Sequence, residues 1–383
     1  MRILYVTPRF PVDLTFGDNL RAYQHIEHLS KKHDVTLLCL YHKKKELKNI
    51  NLLNKFCKII PLYQPDWKFH LNAFLSLFTP YPIRMKVNYN KRLRRIYSKI
   101  VKDFDFVYIL SIQMAYLGKI PIHSKKVIDL VDTDSLLVKR KLEAKPGLMK
   151  PIYLLEFKRL KKHEKKLSKI FDAQIVVSNI EKKALGLENT YVFALGVQPS
   201  RKYVYKNKEN IICVTGTMNY PPTVEGVLYF VKKIFPLIIH EVPGVKLKLI
   251  GAKPCKKIKK LANHPNIIVT GKVKNMAREI KKCKISLAPL RFGCGIQMKM
   301  LEAMATGTAT VMSSIVNAGI EAKPNHETLV ADEPEDFAYK VITLIKNDKL
   351  RKKIESNAYN LILRNYSLDI QNKRLDNLIK KII

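Results

Sequence analysis

A short stretch in the last third of the sequence combines glycine, lysine and glutamate at a spacing that suits anion binding. In ISLAPLRFGCGIQMKMLEAMATG, residues 285–307, Gly295, Lys299 and Glu302 stand at positions i, i+4 and i+7, so a helix would place them on one face. A lysine in a first helical turn opposes the positive end of the helix and costs about 0.3–1 kcal/mol, unless an anion binds there. Backbone N–H groups at Gly295 and Ile296 would then hold a phosphate group beside the Lys299 ammonium, and Glu302 would reach a hydroxyl one turn further on.

The separation of Lys299 and Glu302 also suits a simpler arrangement. Opposite charges at i and i+3 on a helix form solvent-exposed ion pairs, which stabilise a helix by about 0.2–0.5 kcal/mol. Spacing alone favours neither interpretation, so both remain open at this point.

The elements around this stretch predict an α/β protein. The apolar run at 285–288 predicts a buried strand, and Ile296, Met300, Leu301 and Met304 predict the buried side of the helix that follows. Further strands are predicted at 2–7, 34–40, 105–111, 126–130, 173–178, 211–214, 245–250, 266–270, 308–312 and 328–330. We therefore predict two doubly wound halves, in which ligands bind at the carboxyl ends of parallel strands.

Two predicted turns between a strand and a helix could contribute to such a site. The loop after the first strand contains Gly17, and the loop after the strand at 211–214 contains Gly216, Thr217 and Met218. Backbone N–H groups in these turns can meet phosphate. A lone glycine such as Gly17 is also typical of a simple turn.

A carboxylate falls at the carboxyl end of another predicted strand. The run VDTDS follows the strand at 126–130, so Asp132 could contact a substrate hydroxyl or accept its proton. The alternative is that Asp134 or Ser135 caps the next helix, which is the commoner use of such a pattern.

The charge balance points to an anionic partner. The 383 residues include 70 Lys and Arg against 32 Asp and Glu, a formal net charge of +38. Such a field attracts nucleic acid, anionic lipid or polyphosphate ligands. The sequence carries no recognised RNA- or DNA-binding signature, so we do not expect nucleic acid as the partner.

The cysteine and hydropathy patterns exclude further kinds of protein. The six cysteines and ten histidines show no metal-ligand spacing, so we expect no metal and no bound cofactor. No apolar run approaches the ~20 residues of a transmembrane helix. The start MRILYVTPRFP has too short an apolar run for a signal peptide, so we expect the protein in the cytoplasm.

The run GIQMKMLEAMATGTATVMSS resembles the donor-binding segment of GT-B glycosyltransferases of the group 1, GT4-like family, which carries a K-x-x-E-A-M-A-x-G core before a strand. The resemblance extends over nearly the full length and is strongest at 211–366. It implies that Glu302 holds the ribose of a nucleotide-sugar and that Gly295, Ile296 and Gln297 at the helix start meet the diphosphate. It also implies that Lys299 and Arg291 neutralise that diphosphate.

The resemblance implies an architecture as well. We expect a GT-B fold of two Rossmann-like domains that face each other across a cleft, at 1–198 and 199–366, with a C-terminal helix at 367–383 that returns to the first domain. Retaining members of this family carry a glutamate eight positions before the conserved one, whereas this chain has Cys294 there. The donor sugar and the stereochemical outcome therefore stay open.

The stretch at 66–102 sets aromatic and aliphatic residues beside a dense basic cluster. This composition is typical of an interfacial helix whose apolar side chains enter a membrane while its cations meet anionic lipid. The alternative is a helix pair packed on the core with a solvated basic face. In relatives that use lipid-linked acceptors, such a surface lies on the N-terminal domain, and the resemblance therefore favours the membrane.

These observations predict a glycosyltransferase at the inner face of the plasma membrane. It would move a sugar from a nucleotide-diphosphate donor to a lipid-linked or glycan acceptor in cell-surface polysaccharide or glycan biosynthesis. Asp132, Lys299 and Arg291 are the predicted catalytic residues. The alternatives are a nucleotide-sugar 2-epimerase-like GT-B enzyme and a non-catalytic basic scaffold for membrane or nucleic acid.

Overall fold

The computed structural model describes residues 1–14, 16–144, 147–200, 208–292 and 295–383. The chain forms two compact units. Unit 1 comprises Met1–Gly196 together with Gln371–Ile383, and unit 2 comprises Val197–Ile370. Each unit contains one parallel β-sheet with helices, so the predicted α/β class is confirmed.

Unit 1 is built on a seven-stranded sheet. Its strands are β1 (Arg2–Thr7), β2 (Asp34–Tyr41), β3 (Lys58–Tyr63), β4 (Phe106–Leu110), β5 (Lys125–Val131), β6 (Ala173–Val176) and β7 (Thr190–Val192). Their order is β3-β2-β1-β4-β5-β6-β7, and neighbouring strands pair in parallel. Every residue of β4 and β6 is buried, as expected for strands covered on both faces.

The helices of unit 1 connect these strands. They are α1 (Gly17–Leu29), α2 (Asn51–Asn54), α3 (Asp66–Ser76), α4 (Ile83–Lys86), α5 (Lys91–Ile100), α6 (Asp134–Ala144), α7 (Lys150–Leu167) and α8 (Asn179–Leu185). Shorter 3-10 turns lie at Lys44–Asn49, Val101–Asp103, Ile112–Lys119 and Gly147–Met149.

Unit 2 repeats the arrangement with six strands. They are β8 (Glu209–Thr215), β9 (Lys246–Ile250), β10 (Ile267–Gly271), β11 (Cys283–Ala288), β12 (Ala309–Met312) and β13 (Leu329–Val330). Their order, β10-β9-β8-β11-β12-β13, matches that of the first six strands of unit 1, and all pairs are again parallel. The carboxyl ends of β8 and β11 therefore lie side by side at one edge of this sheet.

The helices of unit 2 are α9 (Pro221–Tyr229), α10 (Phe235–Glu241), α11 (Lys256–Lys260), α12 (Met276–Lys282), α13 (Met298–Ala305), α14 (Ser314–Ile320), α15 (Pro334–Lys346), α16 (Asp348–Leu361) and α17 (Leu368–Ile382). Two π-helical turns, Phe230–Ile234 and Ile362–Tyr366, and a 3-10 turn at Leu261–Asn263 complete the unit. Helix α17 begins in unit 2, and its residues from Gln371 onward belong to unit 1. No helix in the described ranges combines the length and apolar character needed to cross a bilayer.

Candidate active site

The segment that carries Lys299 begins at the centre of the unit 2 sheet. Strand β11 pairs with β8 on one side and β12 on the other, and Ile285 and Leu287 are fully buried. Helix α13 follows at Met298, where it buries Met300, Leu301 and Met304 as the sequence predicts. The helix starts three residues later than predicted, so Gly295 and Ile296 precede it and do not share its face.

The reason for the late start lies in the backbone. Gly295 adopts a φ of 72°, a left-handed conformation that favours glycine, and Gln297 at the N-cap has a ψ of 88°. The carbonyl oxygen of Gly295 packs so closely on Gly319 of α14 that a Cβ there would lie 2.8 Å from it. The N–H groups of Gly295, Ile296 and Lys299 donate to no described acceptor, so they remain available to a ligand at the start of α13.

Lys299 is a half-buried cation without a described carboxylate partner. No salt bridge within the described ranges includes Lys299 or Glu302, so the ion-pair interpretation of these two residues is wrong. Desolvation lowers the pKa of the Lys299 ammonium to about 8. A bound anion would offset this unfavourable burial.

The Lys299 ammonium lies next to the turn after β8. A Cβ placed on Gly216 would be 3.6 Å from Lys299 Nζ and 3.4 Å from the side chain of Thr223. Gly216 has a φ of 147°, and its carbonyl oxygen approaches Gly251 so closely that a Cβ on Gly251 would lie 1.7 Å away. The structure thus brings together two predicted site segments, one after β8 and one after β11.

The three predicted turn residues differ in what they offer a ligand. The N–H of Gly216 donates to Ile250 and that of Met218 to Ala252, so neither is free to bind phosphate. Met218 is fully buried and contributes to the core. Thr217 is exposed, and its N–H donates to no described acceptor, so it is the turn residue that can reach a ligand.

The N-terminus of α9 has few N–H groups to offer an anion. Its first two positions are Pro221 and Pro222, which carry no N–H group. Only the dipole of this helix and the buried Thr223 remain to favour an anion there.

Glu302 extends from α13 one turn beyond Lys299. Its side chain is exposed to solvent, while desolvation by the surrounding protein raises the pKa of its carboxyl group. No described residue forms a salt bridge with this carboxylate. It is therefore available to a hydroxyl donor.

Arg291 is engaged by neighbouring side chains. Its Nη1 atom lies 3.2 Å from Glu225 Oε1, and its guanidinium stands 4.7 Å from the centre of the Tyr229 ring. Both partners belong to α9. Arg291 would have to leave Glu225 to neutralise a diphosphate, and its exposed side chain permits such a change.

In unit 1, the loop before α1 leads to Gly17 and to a buried arginine. Gly17 is exposed at the first position of α1, but Arg21, one turn later, is 1% exposed. Its Nε donates to the buried Asp129 of β5, which also accepts from the Tyr108 hydroxyl, and its Nη1 donates to the Phe193 carbonyl oxygen. Arg21 thus joins α1 to the sheet.

Asp132 stands immediately after β5 on a strained turn. The preceding Val131 has a φ of 63°, which is rare for a β-branched residue, and its N–H donates to Asp129 Oδ1 at 3.1 Å. Desolvation and the charge of Asp134 raise the pKa of Asp132. Asp134 itself pairs with Arg84 at 3.1 Å, a contact the capping interpretation does not include.

Two further carboxylates near Asp132 were missed at the sequence level. Glu181 accepts from the N–H groups of Val177 and Thr133, and desolvation together with the Asp132 charge raises its pKa to about 7. Glu164 accepts from the Ser135 N–H at 3.0 Å, and desolvation raises its pKa to about 6. No sequence motif places either glutamate near Asp132, because Glu164 belongs to α7 and Glu181 to α8, both distant from Asp132 in sequence.

The aromatic and basic stretch at 66–102 forms three separate helices. Helix α3 exposes an apolar stripe and buries only Ser76, so the interpretation of a core-packed helix is wrong for α3. Trp67 is 64% exposed and Phe74 58%, Leu71 and Leu75 lie on the same stripe, and Phe78, two residues beyond the end of α3, is 77% exposed. Helix α5, by contrast, buries Leu93 and Tyr97 and turns its basic residues outward.

The sequence predicts that no metal is bound, and it places Cys294 where retaining relatives carry glutamate. Within the described part of the chain, no group of three or more His, Cys, Asp or Glu side chains could hold a metal ion. Cys294, which stands where retaining relatives carry glutamate, lies outside the described residues.

Comparison with known proteins gives this geometry a context. The model of the family described as "Glycosyl transferases group 1" matches residues 209–347, which include Gly216, Lys299 and Glu302. A Klebsiella pneumoniae protein described as an uncharacterized 44.6 kDa protein in the cps region is 24% identical over 386 residues, covering 95% of this chain and 96% of that protein.

Solved structures share the fold. TarM superposes with a TM-score of 0.71 at 13% identity, over 98% of both chains. The Anabaena protein HepE, solved in complex with UDP and glucose, gives a TM-score of 0.66 at 13% identity, over 100% of both chains. Residues 209–347 therefore match the group 1 glycosyltransferase family, and the chain shares the GT-B fold of these solved structures.

Proposed function

We propose that this glycosyltransferase moves a sugar from a nucleotide-diphosphate donor to a lipid-linked or glycan acceptor in the synthesis of a cell-surface polysaccharide or glycan. One observation carries the proposal: a desolvated lysine without a described carboxylate partner, Lys299, stands at the start of α13 beside the Gly216 turn. The relative in the Klebsiella cps region supports the polysaccharide context, and the UDP complex of HepE supports a nucleotide-sugar donor.

The donor would bind along α13. The free N–H groups of Gly295, Ile296 and Lys299, together with the Lys299 ammonium, suit the two phosphates. Thr217 would add an N–H from the neighbouring turn. Glu302, one turn further along α13, would accept hydrogen bonds from the ribose hydroxyls, and Gln297 at the N-cap lies between these groups in sequence.

The cations would also act in the chemical step. When the bond between sugar and diphosphate breaks, negative charge grows on the leaving phosphate. Lys299 would stabilise that charge, and Arg291 would add a second cation after releasing Glu225. A preorganised donor of this kind typically accounts for about 10²- to 10³-fold in rate. We therefore propose a reaction that needs no metal ion.

Asp132 is the proposed residue of unit 1. Its raised pKa makes it a stronger base than an ordinary aspartate, which suits a contact with the acceptor hydroxyl or the sugar. Gly17 is proposed to border the same substrate. We propose retention of anomeric configuration from the resemblance, and NMR of the anomeric proton in the product distinguishes it from inversion.

Membrane attachment is the second part of the proposal. The exposed stripe of α3 would enter the interface of an anionic membrane, while the outward cations of α5 would meet its headgroups. This arrangement would hold the enzyme at the inner face of the plasma membrane, where lipid-linked acceptors are found.

Thermal stabilisation by nucleotides tests the donor site. We expect UDP or another nucleotide diphosphate, and its sugar conjugate, to raise the melting temperature equally with and without EDTA. Product analysis with an acceptor then separates sugar transfer from epimerisation of the donor. An unchanged melting temperature with every nucleotide, alongside tight and salt-sensitive DNA binding, would instead favour the basic scaffold.

Vesicle sedimentation tests the membrane contact. Replacing Trp67, Phe74 and Phe78 by Ser should lower recovery with phosphatidylglycerol vesicles and leave UDP binding unchanged. The control variant also replaces exposed apolar residues by Ser. It combines Leu237→Ser with Tyr339→Ser, both in unit 2. Equal vesicle recovery for the two variants would contradict the proposed role of α3.

A further inference from the structure

We infer that unit 1 contains a second anion site, separate from the candidate donor site, that binds a phosphate group. The site is a pocket between α4, α5 and the 3-10 turn at Ile112–Lys119, which we name the tyrosine–lysine pocket. Its lining includes Tyr81, Lys86, Tyr89, Arg94, Tyr116 and Lys119. This inference uses no part of the proposed sugar transfer, but Arg94 belongs to the α5 cations of the proposed membrane contact, so its phosphatidic acid arm rests on that part of the proposed function.

Aromatic rings form the walls of the tyrosine–lysine pocket and cations surround them. The Lys86 ammonium lies 4.6 Å from the centre of the Tyr81 ring and 5.0 Å from that of Tyr89. The Lys119 ammonium lies 4.6 Å from the same Tyr81 ring and donates to the Tyr81 hydroxyl at 3.0 Å. Tyr89 and Tyr116 meet edge to face at 5.0 Å.

No described carboxylate balances these cations. Lys86, Arg94 and Lys119 take part in none of the salt bridges of the described ranges. The nearest charges at Tyr81 are all positive, since Lys119, Lys86 and Lys166 together lower the pKa of its hydroxyl, the Lys119 hydrogen bond most of all. Like charges gathered around one ring repel one another, and an anion in the pocket would relieve that repulsion.

The pocket also holds an unused hydrogen-bond donor. The Tyr116 hydroxyl is buried, and its proton finds no acceptor among the residues that the structure describes. Burying a polar group without a partner is unfavourable, so such groups commonly meet a ligand or an ordered water. A phosphate oxygen is an acceptor that the surrounding cations can bind, and the Tyr116 hydroxyl could donate to it once the Tyr116 ring turns toward the pocket.

The size of the pocket selects a small anion or one end of a larger one. Its volume is about 200 Å³, below the usual range of roughly 300–1,000 Å³ for sites that enclose a whole drug-sized ligand. A neighbouring recess of about 560 Å³ shares Tyr89, Arg94 and Lys119 and adds Lys91 and Arg95. A phosphate group in the pocket could therefore carry a second phosphate or a larger substituent in the recess.

Lys119 lies near the end of β5 that is away from Asp132. It follows Gly118, whose carbonyl oxygen accepts from Lys126 near the amino end of β5, whereas Asp132 follows the carboxyl end of the same strand. Helix α4, which lines the pocket through Lys86, also carries Arg84, the partner of Asp134. The lining residues themselves include none of the candidate active-site residues.

Calorimetric titration with pyrophosphate at constant ionic strength tests the inference. The titration uses the full chain with Lys299→Ala, which weakens the candidate donor site. Adding Arg94→Ala and Lys119→Ala, both at exposed positions, should weaken binding by at least about tenfold, and adding Tyr116→Phe alone should weaken it by a few-fold. The charge-matched control is Lys256→Ala with Lys257→Ala, on exposed positions of α11, which should change affinity by less than about twofold.

Vesicles of phosphatidic acid in phosphatidylcholine then identify the source of the phosphate. If the Arg94 and Lys119 variant sediments less with these vesicles than the control pair does, the phosphate belongs to a lipid headgroup. If only its pyrophosphate affinity falls, the ligand is a soluble phosphate. Equal pyrophosphate affinity in the pocket variant and the control pair, with circular dichroism unchanged, would overturn the inference.

Discussion

The carboxyl edges of the two sheets handle buried charge in opposite ways, although the sheets share one strand order. In unit 1, Arg21 donates to Asp129, and Tyr108 donates to the same carboxylate, so this cation is paired with a carboxylate inside the protein. In unit 2, Lys299 is desolvated without a described carboxylate partner. Removing one partner of a buried ion pair is strongly destabilising, whereas a desolvated lysine without a described carboxylate is a candidate ligand-binding residue.

The carboxylates extend the contrast. Desolvation raises the pKa of Asp132, Glu164 and Glu181 in unit 1, and the Asp132 charge raises that of Glu181 further, whereas the corresponding edge of unit 2 presents Lys299 and N–H groups without a described acceptor. The difference teaches that the fold supplies two similar platforms and that side chains at strand ends decide what each platform binds.

The largest expected effect comes from breaking the buried Arg21–Asp129 ion pair of unit 1. Arg21→Ala leaves Asp129 buried without its cation and should lower the free energy of unfolding by about 3–5 kcal/mol. Urea denaturation measures this loss. Lys139→Ala removes an exposed cation paired with Glu143 and should change stability by less than about 1 kcal/mol. Similar stability losses in the two variants would show that the burial of the Arg21–Asp129 pair does not determine its contribution to stability.

A second variant changes function instead of stability. Glu302→Ala removes the proposed ribose contact and should lower kcat/KM for sugar transfer by about 10- to 100-fold, with the urea midpoint unchanged. The matched control is Glu335→Ala, at an exposed position of α15. Wild-type turnover in the Glu302 variant would rule out the ribose contact.

A smaller effect should come from the loop before α13. In Gly319→Ala the new Cβ would meet the Gly295 carbonyl oxygen at 2.8 Å, so the loop must shift. Affinity for UDP, measured by calorimetry, should fall by up to about tenfold although alanine favours the helix. Gly244→Ala, whose Cβ would have no neighbour closer than 3.9 Å, is the control. Unchanged UDP affinity in the Gly319 variant would show that the position of Gly295 does not matter.

The hydropathy pattern of the sequence predicted most of the strands closely. The predicted strand at 2–7 is confirmed as β1, and the strand before Lys299 differs from β11 by two residues at its start. The edge strands β3 and β7 were missed. Pro61 interrupts β3, and β7 has only three residues, so neither shows the apolar run that identifies a central strand.

The site was less predictable because long-range contacts shape it. The motif identified Lys299 and Glu302 but not the start of α13, which depends on Gly319 packing against Gly295. Arg21 and Asp129 are 108 residues apart, and no sequence spacing signals their pairing. The N–H groups of Gly216 and Met218 are used within the unit 2 fold, which the turn sequence alone does not indicate.

The pH dependence of UDP binding tests the central claim, that Lys299 binds the donor diphosphate, most directly. A diphosphate favours the protonated ammonium, so affinity should be greatest below the pKa of about 8 and fall as the pH rises above it, by up to about tenfold per pH unit. Lys299→Arg should bind UDP with little change between pH 7 and 9, and Lys299→Ala should bind weakly throughout. Wild-type affinity that stays constant over this range, or survives in Lys299→Ala, would contradict the account.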